Sequence, residues 1–199
     1  MRLLISLSGR TGTQKDEILC ELQRLTGVTR FARGETTKSI RHSDVRNVSW
    51  SHTKAAYEAM KTRGSFLWST RYAGNDYGMS IDSLEFALAN GRDELVIGLT
   101  SIVPSVAEQL QEAAESMKGG PVWYMPFYVL SAHESLMRRR WSTGLLYKDR
   151  RTPERLFEEK SWYQEARNSP VCFQFVRNNV SPEHTARRIL HRLGIQPLS

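Results

Sequence analysis

The sequence is poor in the residues that build cross-links and zinc sites. Its 199 residues include only two cysteines, Cys20 and Cys172, and neither has a second cysteine at metal-binding or redox spacing. Both are predicted to be buried free thiols in a reducing compartment. The five histidines share no ligand spacing either, which argues against a zinc site.

Long hydrophobic runs are absent as well. Only about six apolar residues precede Gly9, too short a run for a signal peptide or a membrane span. We therefore expect a cytoplasmic protein. The composition, 40% hydrophobic and 25% charged, is that of an ordered globular chain, and its length fits one domain.

Positive charge, in contrast, is in excess. The net charge is +7 and the pI is near 9.6, which fits nucleic acid, a membrane surface or small anions as partners. The basic residues concentrate at 30–46, 138–140 and 148–151 and in the last predicted helix. The first three groups lie outside regular apolar periodicity, so they are candidates for binding phosphate.

Buried strands alternate with helices along the chain. The run RLLISLS at 2–8 indicates a buried strand, and apolar residues at helical spacing follow over 15–25. This alternation predicts an α/β fold with a parallel core sheet and helices on both faces. The other predicted strands cover 94–99, 121–130 and 170–179, and the other predicted helices cover 51–64, 80–91, 104–120, 132–141 and 181–194.

A hairpin is predicted between these elements, over 65–78, with Gly74 and Asn75 as its turn pair. The helix that follows is predicted to be capped by Ser80. It should place Ile81, Leu84 and Leu88 on one buried face.

The stretch GRTGTQKD, between the first strand and the first helix, has the outline of a phosphate-binding loop. Such a loop needs small residues that let backbone N–H groups face the anion, a lysine for the terminal phosphates, and a helix start. Gln14 stands where the standard pattern has glycine. Asp16 replaces a hydroxyl that would ligate Mg²⁺ with a carboxylate that could also ligate it. The predicted phosphate-binding residues are Gly9, Arg10, Thr11, Gly12, Thr13, Gln14, Lys15 and Asp16, with Asp16 as metal ligand.

Several further stretches resemble the guanylate kinase family, in the right order over residues 2 to 193. ETTKSIRHSDVRNVSW is similar to the family's TTRxPRxGExxGxxY, and SFLWSTRYAGNDYGMSIDSLEFALANGRDELVIGL to its EFxExxxxxGxxYGTxxxxVxxxLxxGxxxxLDID. ESLMRRRW and FVRNN resemble its lid entrance and its VND strand end. The resemblance implies a P-loop three-layer α/β/α kinase that uses ATP and Mg²⁺. Its parts would be a core at 1–33, 80–137 and 156–199, an acceptor-binding lobe at 34–79 and an arginine-rich lid at 138–155.

The resemblance also implies residues for the acceptor's phosphate. Thr37, Arg41 and Tyr77 fall where the family binds that group. Lys38 replaces an arginine there, so a point charge takes the place of a bidentate fork. Trp50 stands where the family has a phosphate-binding tyrosine, and its only polar group is an indole N–H.

The residues that would bind the acceptor's base differ from those that bind guanine in the family. Trp68 stands where the first guanine-reading carboxylate is expected, and no carboxylate occurs at 98–100, where the second is expected. Thr100 is the predicted acceptor-binding residue of that segment. If Trp68 stacks on a base, a nucleotide is favoured as acceptor. If it packs into the lobe, the site becomes smaller, which favours a sugar.

For catalysis, the resemblance implies in-line attack on the γ-phosphorus of ATP. The protein would supply alignment and positive charge. The candidate catalytic residues are Lys15, Arg138, Arg140 and Arg151.

Three functions remain open at this point. The leading one is a kinase that phosphorylates a nucleoside monophosphate. The family's ribose 1,5-bisphosphate kinase branch shares aspartate after the loop lysine and has VNGS where this chain has VIGL, which makes a phosphorylated sugar the alternative acceptor. The third is a noncatalytic binding module. We expect a small phosphorylated molecule as partner, neither a membrane nor nucleic acid, and a monomer or homodimer.

Overall fold

The structure is a computed structural model that describes residues 1–27, 29–39, 49–89, 95–131 and 152–198. Within these ranges the chain forms nine strands and six α-helices. The strands are β1 (Arg2–Ser8), β2 (Thr29–Phe31), β3 (Gly34–Thr36), β4 (Ser49–Ser51), β5 (Phe66–Tyr72), β6 (Asn75–Ser80), β7 (Val96–Ser101), β8 (Val122–Leu130) and β9 (Gln174–Arg177). The helices are α1 (Lys15–Thr26), α2 (Lys54–Thr62), α3 (Ile81–Leu88), α4 (Ala107–Ser116), α5 (Thr152–Asn168) and α6 (Pro182–Arg192).

The central sheet has five parallel strands in the order β2-β7-β1-β8-β9. The strand β1 lies in the middle, paired with β7 on one side and β8 on the other. Parallel neighbours require crossovers, and the helices between the strands supply them. The predicted α/β class with a parallel core sheet is confirmed.

Helices cover both faces of this sheet. On one face, Leu3, Ile5 and Leu7 of β1 join a buried cluster with side chains of α1 and α6. On the other face, Leu4 joins a second cluster with side chains of α3, α4 and α5. The alternation follows from the two-residue period of a strand, and it produces the three layers.

A smaller sheet has the order β4-β3-β6-β5. Its β5 and β6 form the predicted hairpin, but the turn pair is Ala73 and Gly74, because Asn75 already pairs with Tyr72. Ala73 and Gly74 have φ of 48° and 74°, and such a turn joins two twisted strands tightly. The three-residue strands β3 and β4 were not predicted, since so short a run carries no period.

Other predictions need correction too. Ser80 does cap α3, accepting a hydrogen bond from the Ser83 N–H at 3.2 Å. However, Ile81 is 44% exposed, and the buried residues of α3 are Leu84, Ala87 and Leu88. Cys20 is only partly buried and Cys172 is exposed, so the prediction that both are buried is wrong. The predicted helix at 132–141 lies outside the described residues.

None of the helices in the described ranges combines the length and the apolar character that crossing a bilayer requires.

Candidate functional site at the phosphate loop

The predicted phosphate loop connects the end of the central strand β1 to the start of α1. Gly9 has φ of 146°, and a Cβ there would come within 2.6 Å of the Val129 carbonyl oxygen. Gly12 has φ of 87°. The loop is closed on itself by the Thr13 N–H and hydroxyl, which donate to the Arg10 carbonyl at 3.2 and 2.8 Å. Because a Cβ at position 9 would clash with Val129 of β8, glycine is required there for the loop to pass so close to that strand.

Gln14 takes the last loop position in the left-handed conformation, with φ of 60° and ψ of 41°. Glycine is favoured in this conformation, and another residue costs about 1 to 2 kcal/mol there. The Gln14 side chain makes no capping hydrogen bond, while its carbonyl accepts the first bond of the helix, from the Ile18 N–H at 3.0 Å. The helix thus begins directly beneath the loop despite the missing glycine.

Lys15 reaches back across the loop. Its ammonium donates to the Gly9 carbonyl at 2.7 Å and to the Arg10 carbonyl at 3.3 Å. The positive charge therefore lies at the mouth of the loop, where an anion on the loop amides would meet it.

Asp16 lies in the first turn of α1, at the positive end of the helix dipole. Among the described residues, no group of three or more His, Cys, Asp or Glu side chains could hold a metal ion. One carboxylate together with phosphate oxygens and water is a common way to hold Mg²⁺. Asp16 fits that arrangement and stays a predicted ligand.

Asn178, directly after β9, hydrogen-bonds to the backbone of the loop. It is fully buried, and its amide donates to the Thr13 carbonyl at 2.9 Å. Its side-chain oxygen accepts from the Thr185 hydroxyl of α6 at 3.0 Å. The FVRNN stretch pointed to this strand end, but the contact joins residues 165 positions apart, which no local pattern indicates.

Glu159 of α5 also contacts the loop, and the sequence did not predict this contact. Its side chain is 0% exposed, and its Oε1 accepts a hydrogen bond from the Thr11 N–H at 2.9 Å. The hydroxyls of Thr11 and Tyr72 donate to the same oxygen. Because α5 is rich in charged residues, nothing in the sequence singles out this one as buried.

Among the predicted acceptor-binding residues, Thr37 follows β3 and is hydrogen-bonded twice to Asp76 of β6. The Thr37 N–H donates to the Asp76 carbonyl at 3.0 Å, and the Asp76 N–H donates to the Thr37 hydroxyl at 2.9 Å. The Lys38 N–H donates to the Thr36 hydroxyl at 3.0 Å. Tyr77 belongs to the same strand pair, with its ring 6.0 Å from that of Tyr72. Three predicted acceptor-binding residues therefore lie near one another: Tyr77 belongs to β6, and Thr37 and Lys38 directly follow β3, the strand paired with β6.

Trp50 lies apart, on the edge strand β4. It is half exposed, and the Arg33 guanidinium stacks over its ring at 4.3 Å from the ring centre. Its predicted role stays a prediction. The predicted residues Arg41, Arg138, Arg140 and Arg151 lie outside the described residues.

Trp68 and Thr100 are buried, at 6% and 1% exposure. Trp68 belongs to the same core cluster as Met79 and Leu84. The Trp68 Nε1, the Thr100 hydroxyl and the Tyr128 hydroxyl have no hydrogen-bond partner among the described residues. Such atoms cost free energy unless they are matched, so each is a possible point of contact for a ligand.

Comparison with solved structures recovers the same architecture. The guanylate kinase of Anaplasma phagocytophilum aligns over 97% of this chain and 85% of its own, with a TM-score of 0.63 and 16% identity. The tunicamycin resistance protein of Deinococcus radiodurans aligns over 100% of this chain and 99% of its own, with a TM-score of 0.52 and 13% identity. No protein-family model and no curated protein matches the sequence. The chain therefore has the fold of the P-loop kinases.

Proposed function

We propose that the chain is an ATP-dependent phosphotransferase of guanylate kinase type, which transfers the γ-phosphate of ATP to the phosphate of a nucleoside monophosphate. One observation carries the proposal. At the carboxyl end of the central strand, a glycine loop leads into a helix start, and the Lys15 ammonium lies 2.7 Å from the Gly9 carbonyl at its mouth. Ligands of parallel α/β sheets bind at that end of the strands.

The residues of the loop fit a nucleotide phosphate. Glycine at position 9 leaves no side chain between the loop and β8, and the N–H groups at the start of α1 carry partial positive charge. Lys15 would neutralise the terminal phosphates, and Asp16 would hold Mg²⁺. The ion, when bound, would draw charge from the β- and γ-phosphate oxygens. Arg138, Arg140 and Arg151 are the proposed further cations.

The acceptor would lie between the loop and the small sheet. Thr37, Lys38 and Tyr77 are the proposed contacts to its phosphate, together with Arg41 and Trp50. Trp68 offers an indole N–H, and Thr100 offers a hydroxyl. An acceptor group that receives hydrogen bonds would match Trp68, whereas the donor edge of guanine would find no carboxylate at either position.

A phosphorylated sugar is the second candidate acceptor, and the burial of Trp68 favours it. At 6% exposure, and within the core cluster, the indole has little open face on which a base could stack. A site narrowed in this way suits a smaller molecule.

A coupled ADP-release assay tests the proposal. Mg-ATP is offered with a panel of nucleoside monophosphates, their deoxy forms and ribose 1,5-bisphosphate. Turnover on one of them is expected, and Lys15→Ala should lower it on the order of 10²-fold or more while leaving the melting temperature nearly unchanged. The matched control is Lys61→Ala, which removes an exposed lysine from α2.

Two results would contradict the kinase assignment. One is turnover by Lys15→Ala at the wild-type rate, which would show that the proposed donor site is wrong. The other is the absence of turnover across the panel while calorimetry still measures ATP binding, which would leave either a binding module or an acceptor outside the panel.

A further inference from the structure

Glu159 places a carboxylate where a phosphate loop receives its anion. Its Oε1 lies 2.9 Å from the Thr11 nitrogen, and Thr11 stands between the two loop glycines, Gly9 and Gly12. Loop amides of this kind point inward to bind anions. The carboxylate oxygen therefore marks an anion position that the loop itself has formed.

We propose that Glu159 is a built-in competitor of the donor's phosphate, which must displace it from the Thr11 N–H in order to bind. The inference rests on the proposed function, since it concerns the same donor site. It assigns Glu159 as a positioning residue that sets nucleotide affinity and links the donor loop to the acceptor side.

The competition follows from charge and geometry. The carboxylate is fully buried, and a phosphate on the same amide would lie within a few ångströms of it. Two like charges that lie this close in a buried site repel one another. The two anions cannot both accept from the Thr11 N–H at low cost. The donor's phosphate therefore binds this N–H only when the Glu159 carboxylate moves off it.

The link to the acceptor side runs through Tyr72. Its hydroxyl donates to the Oε1 that accepts from Thr11, and it lies 3.2 Å from the Thr11 hydroxyl. Its ring packs against Trp162 of α5 at 5.1 Å and near Tyr77 of β6 at 6.0 Å. When phosphate displaces Glu159, the hydroxyl of Tyr72 loses that carboxylate as its acceptor. Donor binding thus releases a contact that fastens β5 to the phosphate loop.

Calorimetric titration of the full chain with ATP, and separately with tripolyphosphate, tests this inference. Glu159→Gln keeps the shape and removes the charge, so both ligands should bind about tenfold more tightly. The control Glu165→Gln makes the same charge change on the same helix, at a carboxylate that accepts from the Ser161 hydroxyl, and should leave affinity unchanged. Tyr72→Phe removes one tether of the carboxylate without changing charge and should tighten binding about twofold to threefold.

The outcomes separate the two proposals. A gain in affinity for Glu159→Gln and none for Glu165→Gln supports the inference, because a residue that only held the fold together would lower affinity when changed. Equal or weaker binding by a folded Glu159→Gln overturns it while leaving the ATP site in place. If Glu159→Gln fails to fold, Tyr72→Phe decides: tighter binding supports the inference and unchanged or weaker binding overturns it. If neither the wild type nor any variant binds ATP or tripolyphosphate, the donor site itself is wrong and both proposals fall.

Discussion

The two faces of the central sheet differ in polarity, although β1 contributes side chains to both. On one face, β1 presents Leu3, Ile5 and Leu7, all buried in an aliphatic cluster with α1 and α6. On the other face, towards its carboxyl end, it presents Ser6 and Ser8, which are fully buried as well. The first face is a core that needs only shape and apolarity. The second contains polar groups that need partners.

The polar face extends across three strands. Ser6 is in register with Thr100 of β7, and its hydroxyl lies 2.8 Å from that of Tyr124 on β8. The Ser8 hydroxyl donates to the Ile102 carbonyl at 2.8 Å, whereas the Tyr128 hydroxyl has no partner among the described residues. Burying a polar atom lowers stability unless the atom is hydrogen-bonded, so this face depends on specific partners in a way that the aliphatic face does not.

The largest effect on stability should come from the aliphatic face. Ile5→Ala removes three carbon atoms from a fully buried site, and the expected loss is about 3 kcal/mol in the free energy of unfolding. Urea denaturation measures it. A loss below about 1 kcal/mol would mean that this face is not the stabilising one.

A smaller loss is expected on the polar face. Ser6→Ala removes the partner of the Tyr124 hydroxyl and should cost about 1 kcal/mol, because the phenol is left buried without it. Adding Tyr124→Phe removes that unmatched hydroxyl, so the double variant should lose less than the sum of the two single losses. Purely additive losses would show that the pair is not coupled.

The smallest change is expected for Tyr128→Phe. Since the Tyr128 hydroxyl has no hydrogen-bond partner within the described part of the chain, its removal should alter the free energy of unfolding at neutral pH by no more than about 0.5 kcal/mol. A loss well above that value would reveal a partner for the hydroxyl.

The same variant should change the response to alkali. Burial raises the pKa of Tyr128 from about 10 to about 12, so its stabilising contribution is fully present below pH 10 and is lost as pH rises towards 12. Tyr128→Phe should therefore flatten the fall in stability between pH 10 and 12. Burial also raises the pKa of Tyr124, so part of the fall should persist in the variant.

The sequence predicted the phosphate loop and the central sheet because both depend on local signals. A buried strand, glycines at the turn and a helix period identify β1, the loop and α1. The same kind of signal placed Ser80 at the cap of α3. It failed at Ala73 and Ile81, where hairpin register and packing decided the outcome and neither is encoded over a few residues.

By itself, then, the sequence determined the alternation of strands and helices and the place of the glycine loop between β1 and α1. Only the tertiary structure brought Glu159, Tyr72 and Asn178 to that loop, across separations in sequence of 61 to 165 residues. It also decided that Trp68 packs inside the core. The physical reason is that periodicity and turn chemistry are set by neighbours in sequence. A buried polar contact, by contrast, is set by which distant elements the folded sheet and helices bring together.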